Sequence, residues 1–444
     1  MRTPQNGNAN KAPKQPRQDT GLKVAREPAI LVGGYRTGDL LEGERPLEEL
    51  EELATTAGAV IVGRVIQNLK GIHSGTYIGA GKAEEVRDLV KKTKAKCVLF
   101  DHELSPAQGR SLDEIIGVKV LDRTDVILDI FATRARSRMA KVQVGLALCE
   151  HRLPRLRRLW THLEGQKGGI GLRGGAGERQ IETDRRMLGK EIRDLKAELK
   201  EIEARQVRQV DGRRENYLAS LVGYTNAGKS TLMRALTGED VLVEDKLFAT
   251  LDTKTSGFSL GGGLRALLSD TVGFIRRLPH RLVASFHATL EETRSADLLL
   301  HVVDVSAPLA RDQMNTVEAV LKEIGCENKP VLRVFNKVDA VPKESEMDFR
   351  LLCAEFPDAV CISALKGDGL DVLKKEIRKR GSAAGEAAVL RVHSGDGRAL
   401  AYVATHFFED RREMEDEWVR IEGHASPVVL DKLRGFGPNV KIGE

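Results

Sequence analysis

Gly223-Tyr224-Thr225-Asn226-Ala227-Gly228-Lys229-Ser230 has the form G-x-x-x-x-G-K-S. Apolar residues run into it from Tyr217 to Val222, and the helix-forming stretch Thr231 to Leu236 follows. Strand, loop and helix in that order are the context in which this spacing cradles phosphate. The glycines let successive backbone N–H groups turn inward onto phosphate oxygens. Lys229 offers a point charge to the β- and γ-phosphates, and the Ser230 hydroxyl offers a ligand to Mg²⁺. Gly223 through Thr231 are therefore candidate nucleotide contacts, with Lys229 as a candidate catalytic group.

Three more loops follow, each after an apolar strand-like run. Leu264–Leu268 leads into Asp270-Thr-Val-Gly273, where the carboxylate can reach Mg²⁺ through water and Gly273 N–H can reach the γ-phosphate. Val331–Phe335 leads into Asn336-Lys337-Val338-Asp339. A buried carboxylate at Asp339 accepts two hydrogen bonds from guanine N1–H and its exocyclic amine. Adenine lacks that donor pair, a penalty of about 1–3 kcal/mol. Ala359–Ile362 leads into Ser363-Ala364-Leu365, whose backbone amide can reach guanine O6. Across Tyr217–Lys379 the chain thus resembles the translation-factor-related class of P-loop GTPases. By similarity to that class's Phe-Thr-Thr-Leu pattern, Thr250 in Phe248-Ala-Thr250-Leu-Asp-Thr253 is the switch I threonine, ahead of Thr253, and joins Ser230 and Asp270 as a metal ligand. Phe274 stands where many small GTPases carry a water-orienting glutamine, so intrinsic hydrolysis should be slow. Asn226 stands where related GTPases use an asparagine to hold K⁺, and with Gly273 it joins Lys229 as a candidate catalytic residue.

A chain of 444 residues, 41% hydrophobic and 30% charged, is long enough for two to four ordinary globular domains. No apolar run approaches a bilayer span, and Met1–Lys23 has no secretory h-region. The five cysteines form no C-x-x-C pair and read as reduced core residues of a cytoplasmic protein, with peripheral membrane association left open. Net charge is only +5, but its distribution is uneven. From Arg134 to Arg186 basic residues outnumber acidic ones, among them Arg134, Arg136, Arg138, Lys141, Arg152, Arg155, Arg157 and Arg158. That is a candidate polyanion surface.

The patterning predicts an α/β protein in five segments. Residues 1–27 read as a disordered basic arm. Residues 28–130 alternate strands (Ala29–Val32, Ala59–Val65, Lys96–Phe100, Val118–Leu121) with helices (Leu47–Ala57, Ala83–Lys94, Ser105–Ile116), an N-terminal α/β domain on a mostly parallel sheet. Tyr77-Ile-Gly-Ala-Gly-Lys82 has the wrong glycine spacing for a phosphate loop and reads as a tight turn. Residues 131–212 read as a long helical hairpin, its first arm continuous from 124 to about 163 with a kink at Pro154 and its second from Ile181 to Val210. Seven glycines between Gly165 and Gly177 form its tip. A nucleotide domain with a mostly parallel sheet fills 213–380. Gly381–Gly385 reads as a linker, and 387–444 as a small C-terminal α/β appendage.

The tip, Gly165-Gln-Lys-Gly-Gly-Ile-Gly-Leu-Arg-Gly-Gly-Ala-Gly-Glu-Arg-Gln-Ile-Glu-Thr-Asp-Arg-Arg186, resembles the signature of HflX-type GTPases. Asp270-Thr-Val-Gly-Phe-Ile-Arg-Arg-Leu-Pro279 and Ala288-Thr-Leu-Glu-Glu-Thr293 are similar to that family's switch II region. The resemblance covers about residues 28–380 and extends to the tail. It implies binding to the large ribosomal subunit, separation of stalled or idle ribosomes, and ribosome-stimulated GTP hydrolysis. The chain itself reads as a monomer that uses Mg²⁺ and, by the Asn226 feature, K⁺. The residues agree with the resemblance. Glycines permit close backbone approach to RNA, and Lys167, Arg173 and Arg179 can neutralise phosphates there.

Rival readings are a nucleotide-gated regulator of a protein partner such as a protease, and a tRNA-modification GTPase. The latter shares the asparagine of the phosphate loop but usually carries a reactive C-terminal cysteine, and no cysteine follows Cys361. An adenine-nucleotide activity in the N-terminal domain has no phosphate loop to support it.

Overall fold

The computed structural model describes residues 26–41, 43–156, 176–211, 215–238, 247–248, 250–277, 279 and 287–443. The expected basic arm up to residue 25 and the glycine tip up to Gly175 lie outside these residues.

The first sheet is wholly parallel. Strands β1 (Pro28–Arg36), β2 (Val60–Leu69), β3 (Cys97–Phe100) and β4 (Lys119–Leu121) lie in the order β2-β1-β3-β4. Helices α1 (Glu48–Thr56), α2 (Ala80–Thr93) and α3 (Pro106–Ile116) connect them. Ala29 to Val32 are fully buried, as an unbroken apolar run requires when both faces are covered. α3 starts where Ser105 and Gln108 cap each other, with Pro106 in the first turn.

The arm expected to be one helix from 124 to 163 is broken. α4 (Arg123–Arg134) and α5 (Arg138–Arg152) are separated by Ala135–Ser137, and a 3-10 turn at Leu153–Arg155 follows. The cause is tertiary. Asp252, far along the chain, accepts hydrogen bonds from Arg136 N–H at 3.0 Å and Ser137 N–H at 3.1 Å. Ser137 then caps α5 by accepting from Ala140 N–H at 3.0 Å. The long helix α6 (Ala176–Asp211) begins earlier than its apolar stripe suggested and meets α5 around Leu195–Glu198.

The central sheet has six strands in the order β10-β9-β8-β5-β7-β6. They are β5 (Tyr217–Gly223), β6 (Lys254–Gly261), β7 (Leu264–Asp270), β8 (Leu298–Asp304), β9 (Val331–Asn336) and β10 (Val360–Cys361). All pairs are parallel except β6 with β7. Helices α7 (Lys229–Thr237), α8 (His287–Ser295), α9 (Ala310–Glu323), α10 (Glu346–Glu355) and α11 (Leu370–Ala384) accompany it.

Gly381–Gly385 is not a linker. α11 runs through Gly381, which is buried so closely that a Cβ there would lie 2.5 Å from the Phe408 ring. Beyond it β11 (Glu386–His393), α12 (Gly397–His406), β12 (Phe408–Glu415), β13 (Trp418–Ala425), α13 (Pro427–Arg434) and β14 (Val440–Gly443) form an antiparallel βαββαβ unit ordered β12-β13-β11-β14. The cysteines also depart from expectation. Cys97, Cys149 and Cys326 are buried, but Cys361 is exposed and Cys353 intermediate.

Candidate nucleotide-binding site

The loops at the carboxyl ends of β5, β7, β9 and β10 open on one cavity of about 360 Å³. This is where open α/β sheets bind ligands. Thr225, Asn226, Gly228, Lys229, Ser230 and Thr231 line it from the first loop, with Thr250 and Gly273 beside them. Asn336, Lys337, Asp339, Ser363, Ala364 and Leu365 line its far end. Four stretches scattered over 143 positions of sequence, from Gly223 to Leu365, are thus brought together. Asp270 and Ala227 are buried beneath the lining. Phe248, Thr271 and Ala340 also line it and carry no motif that singled them out as contacts.

Gly228 adopts φ +93°, and a Cβ there would lie 2.3 Å from the Asn336 side-chain nitrogen. Only glycine fits, because Asn336 is a staple between loops. Its Nδ2 donates to Ala227 O at 2.9 Å, and its Oδ1 accepts from Ala364 N–H at 2.9 Å. Of the Ser363–Leu365 amides, one of which is expected to reach guanine O6, that of Ala364 is thus engaged by Asn336. Asp339 also differs from expectation. It is not a buried lone carboxylate, since the residue is exposed although its side chain is only 16% so. The Ser363 hydroxyl, and then Lys366 at 3.4 Å, hold its carboxyl below the usual carboxylate range. Lys337 takes a left-handed backbone and pairs with Asp304 at 2.6 Å.

At the other end, Ser230, Thr250 and Asp270 converge. Ser230 Oγ lies 2.8 Å from Thr250 Oγ1, and the two hydroxyls donate to Asp270 Oδ2 at 2.8 and 2.9 Å. Asp270 is fully buried, and its other carboxylate oxygen has no hydrogen-bond partner. Burial pushes this carboxyl up, against the pull of Lys229 and the two hydroxyls. A clustered set of hard oxygen donors with a spare carboxylate oxygen fits Mg²⁺. Lys229 is 6% exposed and donates to Gly223 O at 3.1 Å and Tyr224 O at 2.8 Å. Burial brings its ammonium down to about 8, with Asp270 opposing. Incoming phosphate oxygens can take over from those two carbonyls.

Gly273 is wedged against the first loop, for a Cβ there would lie 2.8 Å from Thr225 Cγ2 and 3.0 Å from Lys229 Nζ. Phe274 is sewn to the same loop. Its N–H donates to Gly223 O at 3.1 Å, and its carbonyl accepts from Thr225 N–H at 2.7 Å. The Phe274 ring is 3% exposed and joins the apolar core, so no polar side chain reaches the cavity from this position.

Sequence reasoning missed one part of the site. Arg123, only 3% exposed at the start of α4, pairs with Asp101 at 2.8 Å and with Glu49, and donates to Arg276 O at 3.0 Å. Tyr224, inside the phosphate loop, bonds Glu49 through its hydroxyl and accepts from Arg276 N–H at 2.9 Å. Arg276 pairs with Glu44 at 2.6 Å, and Arg277 with Asp101 at 3.3 Å. Phe131 of α4 meets Phe248 edge-on at 4.7 Å. The carboxyl edge of the first sheet is thus locked onto the segment after Gly273. Adjacent arginines following D-x-x-G were the only sequence signal. Of the expected RNA contacts, Lys167 and Arg173 lie outside the described residues, and Arg179 falls in the first turns of α6.

A phosphate cradle and a carboxylate-bearing base loop on parallel strands of one six-stranded sheet make this the fold of a P-loop GTPase. Family models agree along the chain: a GTP-binding GTPase N-terminal model matches residues 44–132, a middle-region model 134–213, and a 50S ribosome-binding GTPase model 219–337. The GTPase HflX of Lacrimispora saccharolytica is 48% identical over 354 residues, 79% of this chain and 82% of the relative. That of Escherichia coli is 42% identical over 404 residues, 90% and 93% of the two chains. A GDP complex of a GTP-binding protein from Sulfolobus solfataricus aligns over 80% of this chain and 98% of its own, at 23% identity and TM-score 0.42. The chain belongs to the HflX GTPase family and is a GTP-hydrolysing enzyme.

Proposed function

We propose that this GTPase is a Mg²⁺-dependent switch that binds the large ribosomal subunit and separates stalled or idle ribosomes, hydrolysing GTP faster when ribosome-bound. The observation that carries this reading is the match of 219–337 to a 50S ribosome-binding GTPase model, on a chain whose basic segment from Arg134 to Arg186 precedes that domain. Asp339 would read guanine, and Lys229 would neutralise the β- and γ-phosphates. Ser230, Thr250 and Asp270 would hold Mg²⁺, which supplies charge neutralisation across those phosphates. Gly273 N–H would meet the γ-phosphate, ordering the segment that Arg276 and Arg277 tie to the first sheet. Lys167, Arg173 and Arg179 would contact ribosomal RNA phosphates. Among the described residues no helix is long and apolar enough to cross a membrane.

The test is GTP turnover with and without purified large subunits. Stimulation of at least about tenfold is expected in the intact chain. Deleting Gly168–Gly177 should abolish that stimulation and leave basal turnover unchanged. A deletion variant still stimulated in full refutes the RNA-contacting tip. Cosedimentation with the subunit in GTP-analogue but not GDP form separates this reading from regulation of a protein partner.

A second expectation concerns Asn226, which lines the cavity. With Phe274 withdrawn into the core, a monovalent cation beside Asn226 would supply positive charge to the transition state. Turnover should then be faster in K⁺ than in Na⁺ buffer, by up to about a hundredfold, the lower end of what one electrostatic stabiliser contributes. Equal rates in the two buffers remove the cation.

A further inference from the structure

Two of the five thiols form a pair that the nucleotide reaction does not use. Cys353 lies in the last turn of α10 and Cys361 ends β10, and their sulfurs are 3.8 Å apart. Cys361 is exposed and Cys353 partly so, which makes the pair reachable from solvent. Its location gives it consequence. The next residue, Ile362, donates its N–H to Phe335 O at 2.8 Å and accepts from Val338 N–H at 3.3 Å. Ser363 and Ala364 come immediately after, the residues that hold Asp339 and Asn336. The sulfurs therefore sit directly behind the loop that faces the base.

We propose that Cys353 and Cys361 are a modification site: they form a reversible intramolecular disulfide with a low-molecular-weight disulfide as oxidant, and this bond loosens the grip on guanine nucleotide. Burial and then the neighbouring Cys353 push the Cys361 thiol up to about 11, so the small thiolate fraction that has lost its proton to solvent attacks one sulfur of the small disulfide and expels a small thiolate. The Cys353 thiolate then attacks Cys361 Sγ and expels the second. Two protein thiols are oxidised, one small disulfide is reduced to two thiols, and no other reactant is needed. The effect follows from which partner yields. Bonding brings the sulfurs from 3.8 Å to about 2.05 Å. α10 is anchored by Leu352, 5% exposed among Val303 and Phe335. β10 is two residues long, lies at the sheet edge and pairs only with β9. The strand moves, and the base loop moves with it.

The effect on nucleotide rests on the base-loop assignment under Proposed function, whereas the bond itself does not. The experiment treats the full chain with oxidised glutathione, counts free thiols, maps the cross-link by mass spectrometry and follows release of a fluorescent GDP analogue. The expected result is a monomer that has lost two of its five thiols, mapped to Cys353–Cys361. Either Cys353→Ser or Cys361→Ser should prevent the cross-link. Release from the oxidised chain should be at least about threefold faster and return to its starting rate with dithiothreitol. A stable glutathione adduct without the cross-link, a disulfide between two chains, or unchanged release from the mapped disulfide form would each overturn the proposal. Failure of the reduced chain to bind the analogue would instead refute the base-loop assignment, while the thiol count still decided the bond.

Discussion

Lys229→Ala should lower affinity for GTP and GDP by about thirtyfold to a few thousandfold. Truncating one partner of a buried, hydrogen-bonded charge pair costs about 2–5 kcal/mol, and about 1.4 kcal/mol is a factor of ten. Lys229 is 6% exposed and within the same buried cluster as Asp270, so its charge is not replaced by water when the side chain is cut. The variant also removes the cation that opposes the upward shift of Asp270. That carboxyl should protonate more readily, weakening the corner suited to Mg²⁺ as well. Calorimetry with magnesium present measures the loss, and a thermal melt checks that the fold survives. Normal GTP affinity in the variant contradicts the phosphate-loop assignment.

The second large effect is on base choice. In Asp339→Asn one of the two acceptor oxygens becomes an N–H donor, which meets the guanine exocyclic amine donor to donor. Xanthine carries an oxygen at that position, so the mismatch becomes a match. Preference for guanosine over xanthosine triphosphate should shift by at least about a hundredfold, or about 3 kcal/mol. Because Asp339 also pairs with Ser363 and Lys366, the substitution can loosen the loop for every nucleotide. The ratio of the two affinities cancels that common loss. An unchanged ratio leaves Asp339 without a role in recognising the base.

What could be read from the chain, and what could not, divides along one physical line. Gly223–Ser230, Asp270–Gly273, Asn336–Asp339 and Ser363–Leu365 are contiguous, and each follows a buried strand whose apolar run is legible. Their convergence on one cavity follows once the strands are parallel. Thr250 was placed from a short motif and does meet Ser230 and Asp270. Features decided by distant partners were not legible. The break at Ala135–Ser137 depends on Asp252, more than a hundred residues away. Gly381 looked like a hinge because local composition cannot show the Phe408 ring packed against it. Which amide of Ser363–Leu365 stays free was not legible, because nothing local says that Asn336 takes that of Ala364. The Cys353–Cys361 pair is brought together by the packing of α10 on the sheet edge, which no spacing rule encodes.

The seam made by Arg123, Tyr224, Arg276 and Arg277 constrains how the molecule can answer its nucleotide. A displacement after Gly273 could tear Arg276 and Arg277 away from Glu44, Asp101 and the Arg123–Glu49 group. Buried Arg123 would lose the Arg276 carbonyl and Asp101 one of its two arginines, each a loss of about 1–3 kcal/mol. Swinging the whole first sheet as a rigid lever avoids that cost, because the linkages travel with it. Hydrolysis chemistry confined to a few ångströms would then be geared up into a tilt of the first sheet and of the helices α4 and α5 that follow it.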